Sequence, residues 1–457
     1  MGGLSEILDV ARQALMSQQV GLDVTGHNIS NANTLGYSRQ SVDLTAATPL
    51  KYSFGFLGTG VEVSGISRIR DQMLDRQIQS TNASLGEAGA RNTTLSQIES
   101  ALNESSGAGL DSMLGKFFSS FQDLSLHPED AGSRQVLLQQ AEELTQTFQT
   151  TSAALTTTSA NLVDDVNQKL VQVNELTKSI SDLDGQITNG LAQGTEPSDL
   201  EDQRDQKIEA LSKLMNVTVS RDSRGSTMVS VGGTVIASGG GAVALSASVS
   251  GGTLHITSQA SGADVTVASG DIGGEVKMYN STIPGYRTQL DQLASALITR
   301  VNTLHTAGYG LGTPPPTGNN FFTGTDAATI AVDPGIIADV NKIAASGDGS
   351  AGDNSVALAI AGVQSENIMN GGTASLAEAY SSLVSSVGAD VSAANTDVQS
   401  QQAIYTQLDT QRSSVSGVSL DEEMTNTIKF QQAYDAAAKL VTTVNDMFIT
   451  LIGMKES

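Results

Sequence analysis

Four histidines, His27, His127, His255 and His305, are the first residues to test for chemistry, because an imidazole titrates near neutrality and binds metals. They lie far apart in unlike contexts, and none has a metal-type partner three to five residues away. Spacing therefore assembles no zinc site and no acid–base pair. The chain contains no cysteine, which excludes disulfides, thiolate metal sites and cysteine nucleophiles. Carboxylates pair at Asp164-Asp165 and at Asp182 and Asp184, in a helical run where they read as a solvated polar face. Asp421-Glu422-Glu423 opens another helical run, where negative charge favours the macrodipole. Gly58-x-Gly60 and Gly310-x-Gly312 lack the rest of a phosphate-binding fingerprint, and no Gly-x-Ser-x-Gly elbow with triad logic occurs. The expectation is a protein that is not an enzyme, with no catalytic residue, no metal ligand and no cofactor.

Composition narrows the partners. Of 457 residues 16% are charged, yet the net charge is -24. Nucleic acid and anionic membrane surfaces need clustered Lys or Arg, so neither suits this chain. The acidic excess is spread along the sequence and serves solubility. No stretch approaches 18 apolar residues, which predicts no membrane insertion. Met1-Gly2-Gly3-Leu4-Ser5-Glu6 lacks the basic segment and apolar core of a secretory signal peptide. Aromatics are only 4% and tryptophan is absent, a composition suited to thin, extended layers rather than one bulky core.

With no chemistry to position, the elements themselves carry the reading. Met1, Leu4, Leu8, Ala11, Leu15, Gln18, Leu22, Thr25 and Ile29 recur at alternating steps of three and four. Met424, Ile428, Gln431, Tyr434, Ala438, Val441, Asn445, Phe448 and Ile452 do the same at the other end. A 3.5-residue period predicts a seam for a partner helix. The partner is either another subunit or, more plainly, the opposite end of the same chain inside one globule. Ser419-Leu420-Asp421-Glu422 has the form of a capping box opening the last helix.

Between these ends the pattern predicts a helix over 3–31, a loop with short strands over 32–70, and helical periodicity again from Leu74 to Leu102. A short helix follows near 110–125. Residues 134–184 contain neither Gly nor Pro, a rod of about 77 Å at 1.5 Å per residue. Two successive four-steps at Leu162, Val166 and Leu170 form a stutter that relaxes a left-handed supercoil. Helices are expected at 198–215 and 284–305. Residues 217–275 differ: Thr227–Val231, Thr234–Ile236, Val243–Leu245, Thr253–Thr257 and Val265–Val267 are short β runs separated by glycines. Residues 308–372 are rich in Gly and Pro, and 375 onward is helical. The fold class is mainly α with an inserted all-β module, α+β and multidomain. Its domains are 1–70 plus 416–457 (terminal helical), 71–216 plus 276–415 (helical rods) and 217–275 (β insertion).

Asn28-Ile29-Ser30-Asn31-Ala32-Asn33-Thr34-Leu35-Gly36-Tyr37-Ser38-Arg39-Gln40 resembles the N-terminal signature of the bacterial flagellar rod, hook and hook-associated axial proteins, with Leu35 where that family commonly has proline. Ser416–Met424, followed by Phe430-Gln431-Gln432-Ala433-Tyr434-Asp435-Ala436-Ala437-Ala438, resembles the C-terminal signature of the same family. The long helices and Asn302-x-x-His305 are similar to its hook-associated members. Hook protein carries mainly β domains after the signature, and flagellin lacks the Asn-Ala-Asn-x-x-Gly-Tyr-Ser-Arg segment. The alternatives are another axial flagellar protein, such as hook or distal rod protein, or a secreted adhesin or binding protein using the β module.

The resemblance implies a structural flagellar subunit at the hook–filament junction, secreted by the flagellar type III apparatus after a transient cytoplasmic stage. It implies self-association in a helical or ring assembly, with hook protein on one side and a second junction protein (hook-associated protein 3) on the other. A cytoplasmic export chaperone would shield the C-terminal helix. The implied assembly residues are Leu4, Leu8, Leu15, Leu22, Asn28, Ile29, Asn31, Asn33, Gly36, Tyr37 and Arg39 at the N-terminus. At the C-terminus, for assembly and chaperone binding, they are Leu420, Met424, Ile428, Gln431, Tyr434, Val441, Phe448 and Ile452.

Overall fold

The computed structural model describes residues 2–102, 109–222 and 225–456. Met1, the first residue of the N-terminal heptads, lies outside the described residues. The first helix, α1 (Gly2–Asn31), has no proline to break it, and the chain then turns into β1 (Gln40–Ala46), β2 (Leu50–Tyr52), β3 (Gly55–Leu57) and β4 (Val61–Arg68). Strand β1 pairs antiparallel with β4 across a bulge at Asp43/Leu44, and β2 and β3 form a small hairpin between them. Next come α2 (Gln72–Leu102), α3 (Leu110–Leu126), α4 (Ala131–Ala192) and α5 (Ser198–Leu214).

Helix α4 is the longest of the described elements. The Asp130 side chain caps it by accepting from the Ser133 amide, and it runs for 62 residues, about 93 Å at 1.5 Å per residue. Asp184 is therefore not its end, as the run free of Gly and Pro suggested. A glycine inside a helix costs about 1 kcal/mol. Beyond Gly185 the helix buries Ile187 completely, which offsets that cost.

The β module comprises β5 (Thr218–Arg221), β6 (Thr227–Val231), β7 (Thr234–Ser238), β8 (Gly241–Ala242), β9 (Leu245–Ser250) and β10 (Thr253–Ser258). The first four make an antiparallel sheet in chain order, and β9 pairs with β10. Two β runs differ from expectation. Gly241–Ala242 and Leu245–Ser250 are strands rather than Val243–Leu245. Val265–Val267 forms no strand: Val265 donates one backbone bond to Ile256 and is buried in the core instead. Residues expected at the end of the module enter α6 (Gly270–Lys277), which a short π-turn joins to α7 (Ile283–Thr306).

The Gly- and Pro-rich stretch holds only short elements: β11 (Phe322–Thr323), β12 (Ala331–Val332), α8 (Pro334–Ala338), α9 (Ser355–Gly362) and the 3-10 turns Val340–Lys342 and Val363–Ser365. The chain closes with α10 (Leu376–Ser416) and α11 (Leu420–Glu456). A full capping box opens α10, made by Ser375 and Glu378. Helix α10 packs along α2, and α11 packs along α1.

Two cores result. One gathers Phe117, Phe118 and Phe121 of α3 against Phe321 and Phe322, with ring centroids 4.8 to 5.7 Å apart. The other joins the second half of α4 to α5 and the β module through Val166, Val173, Ile180, Leu211, Val229 and Ile236.

The loop beyond α7 is held from the helix side. Asn302 Oδ1 accepts from the amides of Phe321 and Phe322, both at 2.9 Å. His305 is buried; Nδ1 donates to the Asn319 carbonyl (2.7 Å) and Nε2 accepts from the Ala344 amide (2.9 Å). Arg134, also buried, donates to the carbonyls of Ile343 and Pro128 at 2.5 and 2.7 Å.

Burial lowers the His305 pKa to about 4, from 6.5. Between those values the unfolded chain binds the extra proton and the folded chain does not. Stability linked to His305 is thus complete above pH 6.5 and is lost as pH falls toward 4. By linkage this amounts to about 3 kcal/mol. Urea unfolding at pH 7 and pH 4 should show a loss in the wild-type chain that exceeds the loss in His305→Gln by about that amount; equal losses would contradict the assignment.

Candidate functional site

The signature turn after α1 is built by local bonds. The Thr34 amide donates to the Asn31 carbonyl (2.9 Å), and the Tyr37 amide to the Thr34 carbonyl (3.2 Å). Gly36 sits at φ +75°, a conformation costly for residues with a Cβ. A Cβ there would also lie 2.2 Å from Gln206 Nε2, which donates to the Leu35 carbonyl at 2.7 Å. Glycine is therefore needed for the turn, and it leaves room for the Gln206 side chain.

Tyr37 folds back on the helix it has just left. Its hydroxyl donates to Asn28 Oδ1 (2.7 Å) and accepts from His27 Nδ1 at 3.0 Å. Burial, with Asp199, Asp202 and Glu423 adding, pushes the phenol well above its ordinary pKa, so it stays a neutral donor. Buried Asn28 uses its whole amide. Oδ1 also accepts from the Gln40 amide (2.9 Å), while Nδ2 donates to the Gln40 carbonyl (2.9 Å) and Glu423 Oε2 (3.1 Å).

Glu423 belongs to the first turn of α11, so this network joins the two ends of the chain. Arg39 completes it. Its Nε donates to Glu423 Oε1 (2.8 Å), Nη1 donates to Glu422 Oε2 (2.7 Å), and its amide donates to the Ser416 carbonyl (2.9 Å). The Glu423 side chain is only 2% exposed. Its carboxylate is thus desolvated and compensated by a guanidinium and an amide. The expectation that this acidic run serves only the helix dipole is corrected. Glu422, read as half of a capping box, here binds Arg39.

A second charged layer fastens this joint to the rods. Ser38 donates through its amide and hydroxyl to the two oxygens of Asp202, both at 2.8 Å. Arg68 reaches Asp202 (2.6 Å) and Glu201 (2.7 Å), and Arg70 reaches Asp205 (2.8 Å) and Asp75 (2.9 Å). Arg221 adds 3.0 Å to Asp205, and the fully buried Arg204 reaches Asp184 at 3.2 Å. Burial pushes the Asp205 carboxyl up, but Arg70, Arg204, Arg221 and Arg68 together outweigh it and hold it below the ordinary range. Asp184 also accepts from the Thr227 amide and the Ser226 hydroxyl, both at 2.8 Å. Asp184 is thus not part of a solvated face: α4 turns it inward to anchor the β module. Asp182 and the Asp164-Asp165 pair are exposed, as read.

The α1–α11 contact is not the leucine seam. Ala11, Ser17, Gly21, Val24, Thr25 and Asn28 are buried on α1. They face a stripe of α11 in which Glu423, Ala437 and Val444 are buried and Phe430, Tyr434, Val441 and Phe448 are half-buried. At Gly21 an added Cβ would sit 2.8 Å from the Phe430 ring, so the small residue sets the closeness of the helices. Leu4, Leu15 and Leu22 are half-buried beside this stripe, while Leu8 and Ile29 are exposed. Asn31 donates to the His27 carbonyl, and Asn33 is exposed at the turn. Leu420, Met424, Ile428, Gln431 and Ile452 are exposed on α11. Of the heptad positions, Ala11, Thr25, Tyr434, Val441 and Phe448 lie in the packed stripe, while the rest of that stripe lies one residue away from the predicted seam.

One expectation about apolar length is also corrected. Leu376–Met454 contains an 18-residue window of mean hydropathy 1.2 with at most two charges, apolar enough by length and composition to cross a membrane. The run is not continuous, since Lys439, Asn445 and Asp446 interrupt the second half of α11, but its average passes. Only 6% of that window is buried.

Comparison with known proteins places these elements. The model of the flagellar hook-associated protein FlgK helical domain matches residues 95–322. The flagella basal body rod protein model matches 8–37, and the flagellar basal body rod FlgEFG protein C-terminal model matches 410–454. The N-terminal match ends just before Arg39, and the C-terminal match contains Glu423. The chain is 31% identical to flagellar hook-associated protein 1 of Bacillus subtilis, across 97% of each. It is 27% identical to the Escherichia coli protein of that name, across 99% of this chain and 100% of the other. In fold it is similar to the flagellar hook junction protein FlgK from Burkholderia pseudomallei, with a TM-score of 0.65 at 15% identity, covering 75% of this chain and 100% of that one.

Removing one partner of a buried pair leaves an uncompensated charge, at a cost of about 3 to 5 kcal/mol. Arg39→Ala should therefore loosen the first turn of α11 from the signature loop. Hydrogen exchange should rise at 28–40 and 420–430 while amides of α4 keep their protection; unchanged exchange at both segments would show that the fork is dispensable.

Proposed function

Because this chain belongs to the flagellar hook-associated protein 1 family, a structural family of the hook–filament junction, we propose that its α1–α11 pair is the assembling element and that Arg39, Asn28 and Glu423 hold the pair at a set angle to the rods. The subunit associates with further copies and with flagellar partners. In the finer reading, hook protein lies on one side, hook-associated protein 3 lies on the other, and the pair lines an inner tube. The terminal domain is 1–70 plus 416–457, the rods are 71–216 plus 276–415, and the β insertion at 217–275 faces outward. The chain works by mechanical linkage rather than by catalysis, and neither the hook or distal rod protein nor an adhesin is the better reading.

The observation that carries this is the free face of α11. Met424, Ile428, Met447, Ile449 and Ile452 are all at least half exposed although the opposite face of the same helix is packed on α1. Fully burying such a side chain stabilises by about 1.5 to 3 kcal/mol. A few of them against a neighbouring subunit suffice to oppose the ordering cost of joining an assembly. The same exposed face is an aggregation hazard in a lone subunit, which supports cover by a cytoplasmic export chaperone before secretion through the flagellar type III apparatus.

The double variant Met424→Asp/Ile428→Asp changes only the free face. Its helix content and the protection of α1 should match wild type, while incorporation at the hook tip, read by immunolabelling, should be lost. Incorporation at the wild-type level would refute the proposal. Subunits ending at residue 419 should likewise fail to join, and if they joined normally α11 would not be the assembling element.

A further inference from the structure

Away from the joint, α2, α4 and α6 enclose a polar cavity of about 230 Å³. Thr93, Thr94 and Gln97 face it from α2, and Asn161, Asp165 and Lys169 from α4. Asp271 and Glu275 close it from α6. Three carboxylates against one ammonium leave a formal charge of two negatives around this space. Glu275 is only 4% exposed. Its Oε1 is held by Lys169, but its Oε2 has no hydrogen-bond partner among the described residues. The half-buried Asp271 carboxylate receives no hydrogen bond among them either.

A buried acceptor without a donor costs about 1 to 3 kcal/mol, more when charged, so a ligand that supplies donors there is stabilised. Burial pushes both carboxyls up: that of Glu275 against Lys169, with Asp165 and Asp271 adding to the rise, and that of Asp271 against Lys169 and Lys213. The field in the cavity thus calls for more positive charge than the chain itself provides.

We propose that this cavity binds a small cation that donates hydrogen bonds, either a hydrated divalent metal ion or a primary ammonium. Direct chelation is not the mode, because no three acidic or histidine side chains among the described residues are grouped to hold a bare metal. Donors on a shell of bound water, or on nitrogen, reach acceptors spread over three helices. The bound cation ties α6, the element that leaves the β module, to both long helices.

Thermal unfolding of the full chain in increasing MgCl2 or putrescine dihydrochloride, against NaCl at matched ionic strength, tests this. A saturable stabilisation beyond NaCl is expected from at least one of them, and the one that gives it identifies the cation. Glu275→Gln and Asp165→Asn should each weaken the apparent affinity about tenfold or more. Asp165 is exposed, so that variant folds and decides the matter even if Glu275→Gln does not. Shifts no larger than those of NaCl, or shifts undiminished in Asp165→Asn, would overturn the site.

Discussion

The bond on which the rest of this architecture depends is the fork of Arg39 on Glu423 and Glu422, backed by Asn28. It connects residues 384 apart in sequence and fixes where the last helix begins relative to where the first one ends. A buried carboxylate is costly unless charge and hydrogen bonds both compensate it, and here both do. The carboxylate cannot leave its guanidinium without being stranded in a dry site, so the joint has one preferred geometry. The start of α11 is thereby held in one place relative to the end of α1.

The charged layer beneath follows the same logic. Arg68, Arg70, Arg204 and Arg221 converge on Asp184, Asp202 and Asp205 from strands and helices far apart in the chain. Pairs at this depth are screened little by salt. They tie the signature loop, α5, the end of α4 and the first strands of the β module into one block. The apolar cores lie farther along the rods, where the Phe117–Phe322 cluster and the α4–α5–β contacts supply the non-directional part of the stability. Directional polar bonds serve where angle matters, and apolar burial serves where length must be stiffened. The composition permits this, since few aromatics and many small residues favour slender helix pairs.

Much of the plan was legible in the chain. Helical periods located α2, α3, α5 and α7 nearly to the residue, glycine-separated β runs located the insertion, and the two terminal signatures identified the family. Of the eleven N-terminal residues that the resemblance implies, Asn28, Gly36, Tyr37 and Arg39 lie in the joint, while Leu8, Ile29 and Asn33 are exposed. Their partners were not legible. Glu423 read as a dipole residue, and Asp184 as solvated, because a carboxylate on a helix has the same local pattern whether it faces water or an arginine from another element. The packed stripe of α1 was missed for a related reason. Heptad counting weighs large apolar side chains, whereas Gly21 and Ser17 pack closely because they are small.

The sequence by itself determined the helices, the β insertion, the terminal turn and the family, since these rest on periodicity, glycine placement and short-range signatures. Only the tertiary structure decided which face of each terminal helix is packed and which is free, which carboxylates are dry, and which arginine meets which aspartate. Those outcomes depend on close approach between segments hundreds of residues apart. Such distances are set by the shapes and charges of both partners together, and neither partner's local pattern contains the other.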